Sequence, residues 1–144
     1  MRIVVDTNVL IGAVMSAEGA NRRVLRRCLA GQDQALMGNA LYAEMRDVMG
    51  REALFTNAPI SATERQDLLD AFCAGATWVS TYFLWRPNLP DEGDNHLIEL
   101  AVAGSAEIIV SWNRSDLQSG ELRFPALQMF DPVSYLQFVE PRGL

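Results

Sequence analysis

The sequence predicts an α/β fold, a three-layer α/β/α sandwich around a short, mainly parallel central sheet. Three observations lead there. Short apolar runs at Ile3–Val5, at Ala35–Met37 and in the EIIVS segment 107–111 have the length and aliphatic content of buried strands. The segments between them carry apolar residues at helical spacing, and strands alternating with helices make a parallel sheet. No repeat, low-complexity tract or interdomain linker interrupts the pattern, and 144 residues suit one domain spanning 1–144.

In order, Arg2 to Val5 is the first strand, and Thr7 to about Met15 is a helix opening directly off its end. Ala17 to Ala20 is a turn. Asn21 is expected to cap a helix reaching about Leu29, which Gly31 ends. After the strand at Ala35–Met37, Asn39 is expected to cap a helix with Leu41, Met45, Val48 and Met49 on one face. Residues 51–60 connect to Ser61-Ala-Thr-Glu64, a capping box ahead of Leu68, Leu69 and Phe72. Gly75 stops that helix, and Trp78 to Ser80 is a third strand. Residues 81–93, with Pro87, Pro90 and Gly93, read as loop. A helix from about Asp94 to Ala103 leads to the EIIVS strand. Leu127 to Phe130 is the last strand, and Asp131-Pro132 opens a terminal helix.

Composition narrows the function classes. Apolar residues at 49% and charged residues at 21% are ordinary for a globular protein. A net charge of −6 and a pI near 4.7 argue against a broadly basic nucleic-acid binder. They leave open an enzyme that meets phosphate through a metal ion. Cys28 and Cys73 lack CxxC spacing, which argues against zinc and against a disulfide framework and fits a reducing cytoplasm. The single histidine, His96, gives a His-pair nuclease or a Ser-His-Asp triad little to build on, so a surface or partly packed place is expected for it. Ile3–Val5 is too short for the apolar region of a signal peptide, and no run reaches the roughly 20 apolar residues that cross a bilayer.

The first strand runs straight into Asp6, Thr7 and Asn8. A buried carboxylate costs several kcal/mol unless it is paired or bound to a cation. Ligands of parallel sheets bind at the carboxyl ends of strands. Asp6 follows the first strand, and Asn113 and Asp116 follow EIIVS, so the three are expected on one rim. Glu44 falls at the edge of the buried stripe of its helix. Asp94 opens its helix and can project into the same cleft. Oxygen donors of this kind suit a hard cation such as Mg²⁺ or Mn²⁺. Such a cation can hold phosphate oxygens and activate water for hydrolysis. Each acid also has a simpler reading: Asp6 as an N-cap, Glu44 as a solvated or paired flank, Asp94 as a helix-start carboxylate, Asp116 as a turn residue.

The order of these residues resembles the PIN-domain family. VVDTNVLI is similar to its first motif, with Asp6 as the acid. LYAEMRDVM is similar to the second, with Glu44. PDEGDNHLIELAVAGSAEIIVSWNRSDL is similar to the third and fourth, with Asp94 before an apolar helix and a strand ending at Ser111. The resemblance covers nearly the whole chain. It implies a metal-dependent endoribonuclease in which Asp6, Glu44, Asp94 and Asp116 are catalytic and bind Mg²⁺ or Mn²⁺ together with Asn113. A water attacks the phosphodiester in line. Thr7, Asn8 and Ser111 have supporting roles, with local capping an equal alternative for Thr7. The family context also suggests a toxin of a toxin–antitoxin pair, an antitoxin protein that silences it, and a homodimer. Many members carry an acid where Asn113 stands. Asn113 offers an oxygen without charge, so Asp116 is the candidate for the fourth carboxylate and one tightly bound cation would suffice for hydrolysis.

Contacts to RNA have fewer candidates. RRVLRR at 22–27 places Arg22, Arg23, Arg26 and Arg27 on one helix face, which can grip phosphates, bind an acidic partner or simply be solvated. Arg114, in the fourth motif, is expected nearest the scissile phosphate, with Arg22 and Arg26 as further substrate contacts. Trp112 is a candidate for stacking on a base, and Tyr82, Phe83 and Trp85 read as core or dimer contact. Two other classes compete with the nuclease. One is a PIN fold that binds RNA or a protein without cleaving, which Asn113 keeps open. The other is a small-molecule phosphatase, which Asn8 disfavours because aspartyl-nucleophile phosphatases want a second Asp there.

Overall fold

The computed structural model describes residues 1–16, 18–80, 95–113 and 127–141. Asp94, Arg114, Asp116, the loop at 81–93 and the aromatic group Tyr82, Phe83 and Trp85 lie outside the described residues. The sheet has five strands, β1 (Arg2–Val5), β2 (Gln34–Met37), β3 (Thr77–Trp78), β4 (Ile108–Val110) and β5 (Gln128–Phe130). They run in the order β3-β2-β1-β4-β5, and every pairing is parallel. Among the described residues six α-helices flank it: α1 (Thr7–Met15), α2 (Ala20–Leu29), α3 (Asn39–Met49), α4 (Ala62–Ala74), α5 (Asn95–Ala103) and α6 (Pro132–Val139). A single 3₁₀ turn at Glu52–Phe55 lies within the 51–60 connection. The α/β/α sandwich expected from the sequence is what the chain forms.

The most apolar strands take the middle. Ile3, Val4 and Val5 are completely buried, as are Ile108, Ile109 and Val110, and the two strands pair side by side in register. The edge strands are poorer: Trp78 on β3 and Gln128 on β5 are exposed. α5 lies against β1, β2 and β4, while α1 packs on α2 and α3, and α2 on α6. The chain runs outward from β1 through β2 to β3, then returns to the other side of β1 for β4 and β5. The order therefore reverses between β1 and β4, and in parallel sheets the carboxyl ends of strands at such a reversal are where ligands bind.

Local capping explains where several helices begin. Ser61 and Glu64 form the expected capping box, each side chain bonding the other residue's backbone N–H. Asp131 accepts from the Ser134 N–H at 2.7 Å ahead of Pro132. Two expectations are corrected. α2 begins one residue before Asn21, capped by Gly19, whose φ of 113° suits glycine and sets the chain direction into the helix. Gly38, not Asn39, caps α3.

The expected arginine ridge of α2 is also corrected, because most of it is used inside the fold. Arg27 grips Asp33 through Nε at 2.8 Å and a second nitrogen at 3.3 Å, and reaches Glu140 at 2.7 Å. Arg23 meets the other oxygen of Glu140 at 2.9 Å. Arg22 donates from Nε to the Ala13 carbonyl at 2.8 Å. Asp33 is a buried carboxylate at the start of β2, and the chain's terminal ammonium stands 3.6 Å from it. Burial pushes its carboxyl up, but Arg27, the nearby Tyr135 hydroxyl and the ammonium outweigh this and hold it below the usual value.

Candidate active site

The site is built on the seam where the strand order reverses. The Asp6 N–H, just past the end of β1, continues the ladder to the Val110 carbonyl at 3.0 Å, and the Ser111 N–H does the same to Phe130 at 2.9 Å. These bonds place Asp6 and Ser111 side by side although they are far apart in sequence. The Ser111 hydroxyl donates to Asp6 Oδ2 at 2.7 Å, and the Thr7 N–H donates to Oδ1, also at 2.7 Å. The Asn8 amide reaches both Asp6 Oδ2 and Ser111 Oγ at 3.4 Å. Asp6 also precedes α1 as its N-cap, so the simpler reading of this residue holds too.

Asp6 is only 4% exposed, and among the described residues no arginine pairs with it. Burial accordingly pushes its carboxyl above the usual carboxylate value. The bonds from Ser111 and Thr7 pull it back, and the charge of Glu44 pushes it further up. That coupling brings α3 into the site. Glu44 is half-buried on the flank of α3, as its spacing predicts. His96, on the first turn of α5, donates from Nε2 to Glu44 Oε2 at 2.9 Å. This bond is the main reason the Glu44 carboxyl lies below its usual value, with burial opposing it and the Thr7 hydroxyl assisting. Thr7 Oγ1 is buried, with no hydrogen bond of standard geometry among the described residues.

Four elements thus converge: β1 brings Asp6, α1 brings Thr7 and Asn8, α3 brings Glu44, and β4 brings Ser111. Asn113 is next to them, its N–H on Ser111 Oγ at 3.0 Å. Arg22 is committed to a carbonyl about 10 Å along α1 from Asp6, at 1.5 Å rise per residue. Arg26 is the exposed arginine of α2. The sequence did not foresee His96 as the partner of Glu44. Its one signal was position, two residues after Asp94 in the third acidic motif. Asn21 was missed as well; inside α2, its side chain accepts from Trp112 Nε1 at 2.9 Å.

The chain matches the PIN domain family over residues 2–115. It belongs to that family. No curated protein matches it. Among solved structures this PIN domain is similar to VapBC2 from Rickettsia felis bound to a DNA fragment from their promoter. The TM-score is 0.58 at 14% identity, over 90% of this chain and 97% of that one. At that identity the likeness shows the fold.

The residues present fit a hard divalent cation. The carboxylates of Asp6 and Glu44, with the buried hydroxyls of Thr7 and Ser111, are oxygen donors of the type such ions take. Asp6 and Glu44 make two acids; among the described residues no group of three or more His, Cys, Asp or Glu gathers. Among the described residues no helix is long and apolar enough to cross a membrane.

Proposed function

We propose that this PIN domain is a metal-dependent endoribonuclease, the toxin of a toxin–antitoxin pair, working in the cytoplasm. PIN domains are typically nucleases, and the observation that best supports the reading here is Asp6. Its carboxylate is buried at the strand-order reversal, lacks a described cationic partner, and is already hydrogen-bonded by two donors that would orient it. Asp6, Glu44, Asp94 and Asp116, with Asn113, would hold Mg²⁺ or Mn²⁺. The ion would supply Lewis acidity toward the phosphodiester and lower the pKa of water for an in-line attack.

The chain's own residues would do the rest. Ser111 and the Thr7 N–H hold Asp6 in one rotamer with both lone-pair edges defined. His96 keeps Glu44 ionised and fixed. Asn8 ties Asp6 to Ser111 so that the ends of β1 and β4 move together. The Thr7 hydroxyl would help hold Glu44. Arg114 would meet the phosphate, with Arg26 as an outer contact. An antitoxin protein and a second copy of the chain are the proposed partners.

Asn113 favours a second reading, a catalytically weak PIN module that binds RNA or a protein, because it removes a negative charge from the site. The two readings separate in one experiment. Total transfer RNA is incubated with purified protein in Mg²⁺, Mn²⁺ or EDTA, beside an Asp6→Asn variant. Cleavage that needs the metal and vanishes in Asp6→Asn is expected. Failure of the protein both to cleave and to bind Mn²⁺ by calorimetry would favour the binding module.

A further inference from the structure

We propose that Trp112 is a fixed stacking platform for one unpaired base of the substrate, a role that rests on the nuclease reading above. Trp112 directly follows Ser111, whose hydroxyl is on Asp6, and its ring reaches from there to Asn21 over Gly12, about 9 Å along α1 from Asp6 at 1.5 Å rise per residue. It is 47% exposed, among the largest apolar surfaces the described residues present. Exposed tryptophans are ordinarily free to rotate, but this one is tethered at two points. Its indole Nε1 donates to Asn21 Oδ1 at 2.9 Å, and its backbone N–H approaches Asn8 Oδ1 at 3.4 Å.

The first tether depends on a residue in another helix. Asn21 lies so close over Gly12 that a Cβ there would stand 2.1 Å from its Nδ2. Only glycine at position 12 lets Asn21 lie down on α1 and present its oxygen to the indole. Asn8 meanwhile also bonds Asp6 and Ser111, so ring and acids share one hydrogen-bonded frame. A flat, exposed, oriented π-face about 9 Å along α1 from Asp6 suits the unpaired base of a nucleotide flanking the scissile phosphate. Bases stack on such faces whatever their identity.

The test measures binding of a ten-nucleotide oligoriboadenylate and of a matched abasic ribose-phosphate chain in EDTA, with metal-dependent cleavage assayed separately on the same proteins. The wild type is expected to prefer the base-bearing chain by roughly 5- to 150-fold. Trp112→Ala should remove that preference while leaving abasic binding and thermal unfolding unchanged, and Trp112→Phe should retain most of it. Gly12→Ala, which displaces Asn21, and Asn21→Leu should lower the preference with the ring intact. The proposal is overturned if the wild type shows no preference, if Trp112→Ala keeps it, or if Trp112→Ala loses both ligands equally. An undiminished preference in Trp112→Ala would leave the ring as a protein-contact surface instead. Absence of cleavage with a Trp112-dependent preference would sink the nuclease reading alone.

Discussion

Ser111 and Asp6 sit at the ends of adjacent parallel strands, and the hydroxyl of one donates to the carboxylate of the other at 2.7 Å. Replacing Ser111 by alanine removes the largest influence that lowers the Asp6 carboxyl against its burial. Asp6 then titrates at higher pH, and a metal that needs the carboxylate is lost sooner on acidification. The acid limb of the pH–activity profile should move upward in Ser111→Ala. Metal affinity should fall about 10- to 100-fold, the usual cost of losing a residue that orients a ligand. An unmoved acid limb would detach Ser111 from the chemistry.

His96→Ala acts on the second acid. Without the ring nitrogen, the Glu44 carboxyl rises toward its ordinary value and gains rotamer freedom. Mn²⁺ binding measured by calorimetry at neutral pH should weaken by about 10-fold or more, and His96→Gln should recover part of the loss. Binding equal to wild type in His96→Ala would remove Glu44 from the ligand set.

The pair of Arg27 and buried Asp33 belongs to stability. Arg27→Ala leaves buried Asp33 with the terminal ammonium as its remaining cation and should cost about 3 kcal/mol in denaturant titration, the low end for a broken buried pair. The Asp33 carboxyl is held below its unfolded value, so its contribution is present above the unfolded pKa of about 3.9 and is lost as pH falls below it. Stability measured from pH 7 to pH 2 should therefore drop in that acid range for wild type and change less for Asp33→Asn.

Ser61→Ala tests the capping box far from the acids. Losing the bond to the Glu64 N–H should cost about 1 kcal/mol, roughly 2–4 °C in Tm for a chain of this size. RNA cleavage at 25 °C should be unchanged.

Local signals in the sequence were readable. The aliphatic runs of β1 and β4 mark both as buried strands, and local patterns mark the caps at Ser61 and Asp131. Asp6 at a strand end and Glu44 on a helix flank were equally plain. Asn21 and Asn39 were misassigned because the residue before each is a glycine, or leads from one, that turns the chain first. The long-range pairings were not legible: His96 meets Glu44 across 52 positions and Trp112 meets Asn21 across 91. Nothing in the spacing of a sequence records which side chains a sheet will bring together.

The inward commitment of the α2 arginines bears on ionic strength. Arg23 and Arg27 are held by Glu140 and Asp33, and Arg22 is turned to the Ala13 carbonyl through Nε. α2 then offers few charges to displace counterions from a polyanion. With one or two phosphate contacts, raising salt from 50 to 200 mM should weaken single-strand binding only about 3- to 7-fold, where a strongly basic binder loses several orders of magnitude. A plot of log K against log salt would have a slope between about −0.7 and −1.4. Encounter with RNA would be correspondingly slow to begin and little disturbed by the salt of its surroundings.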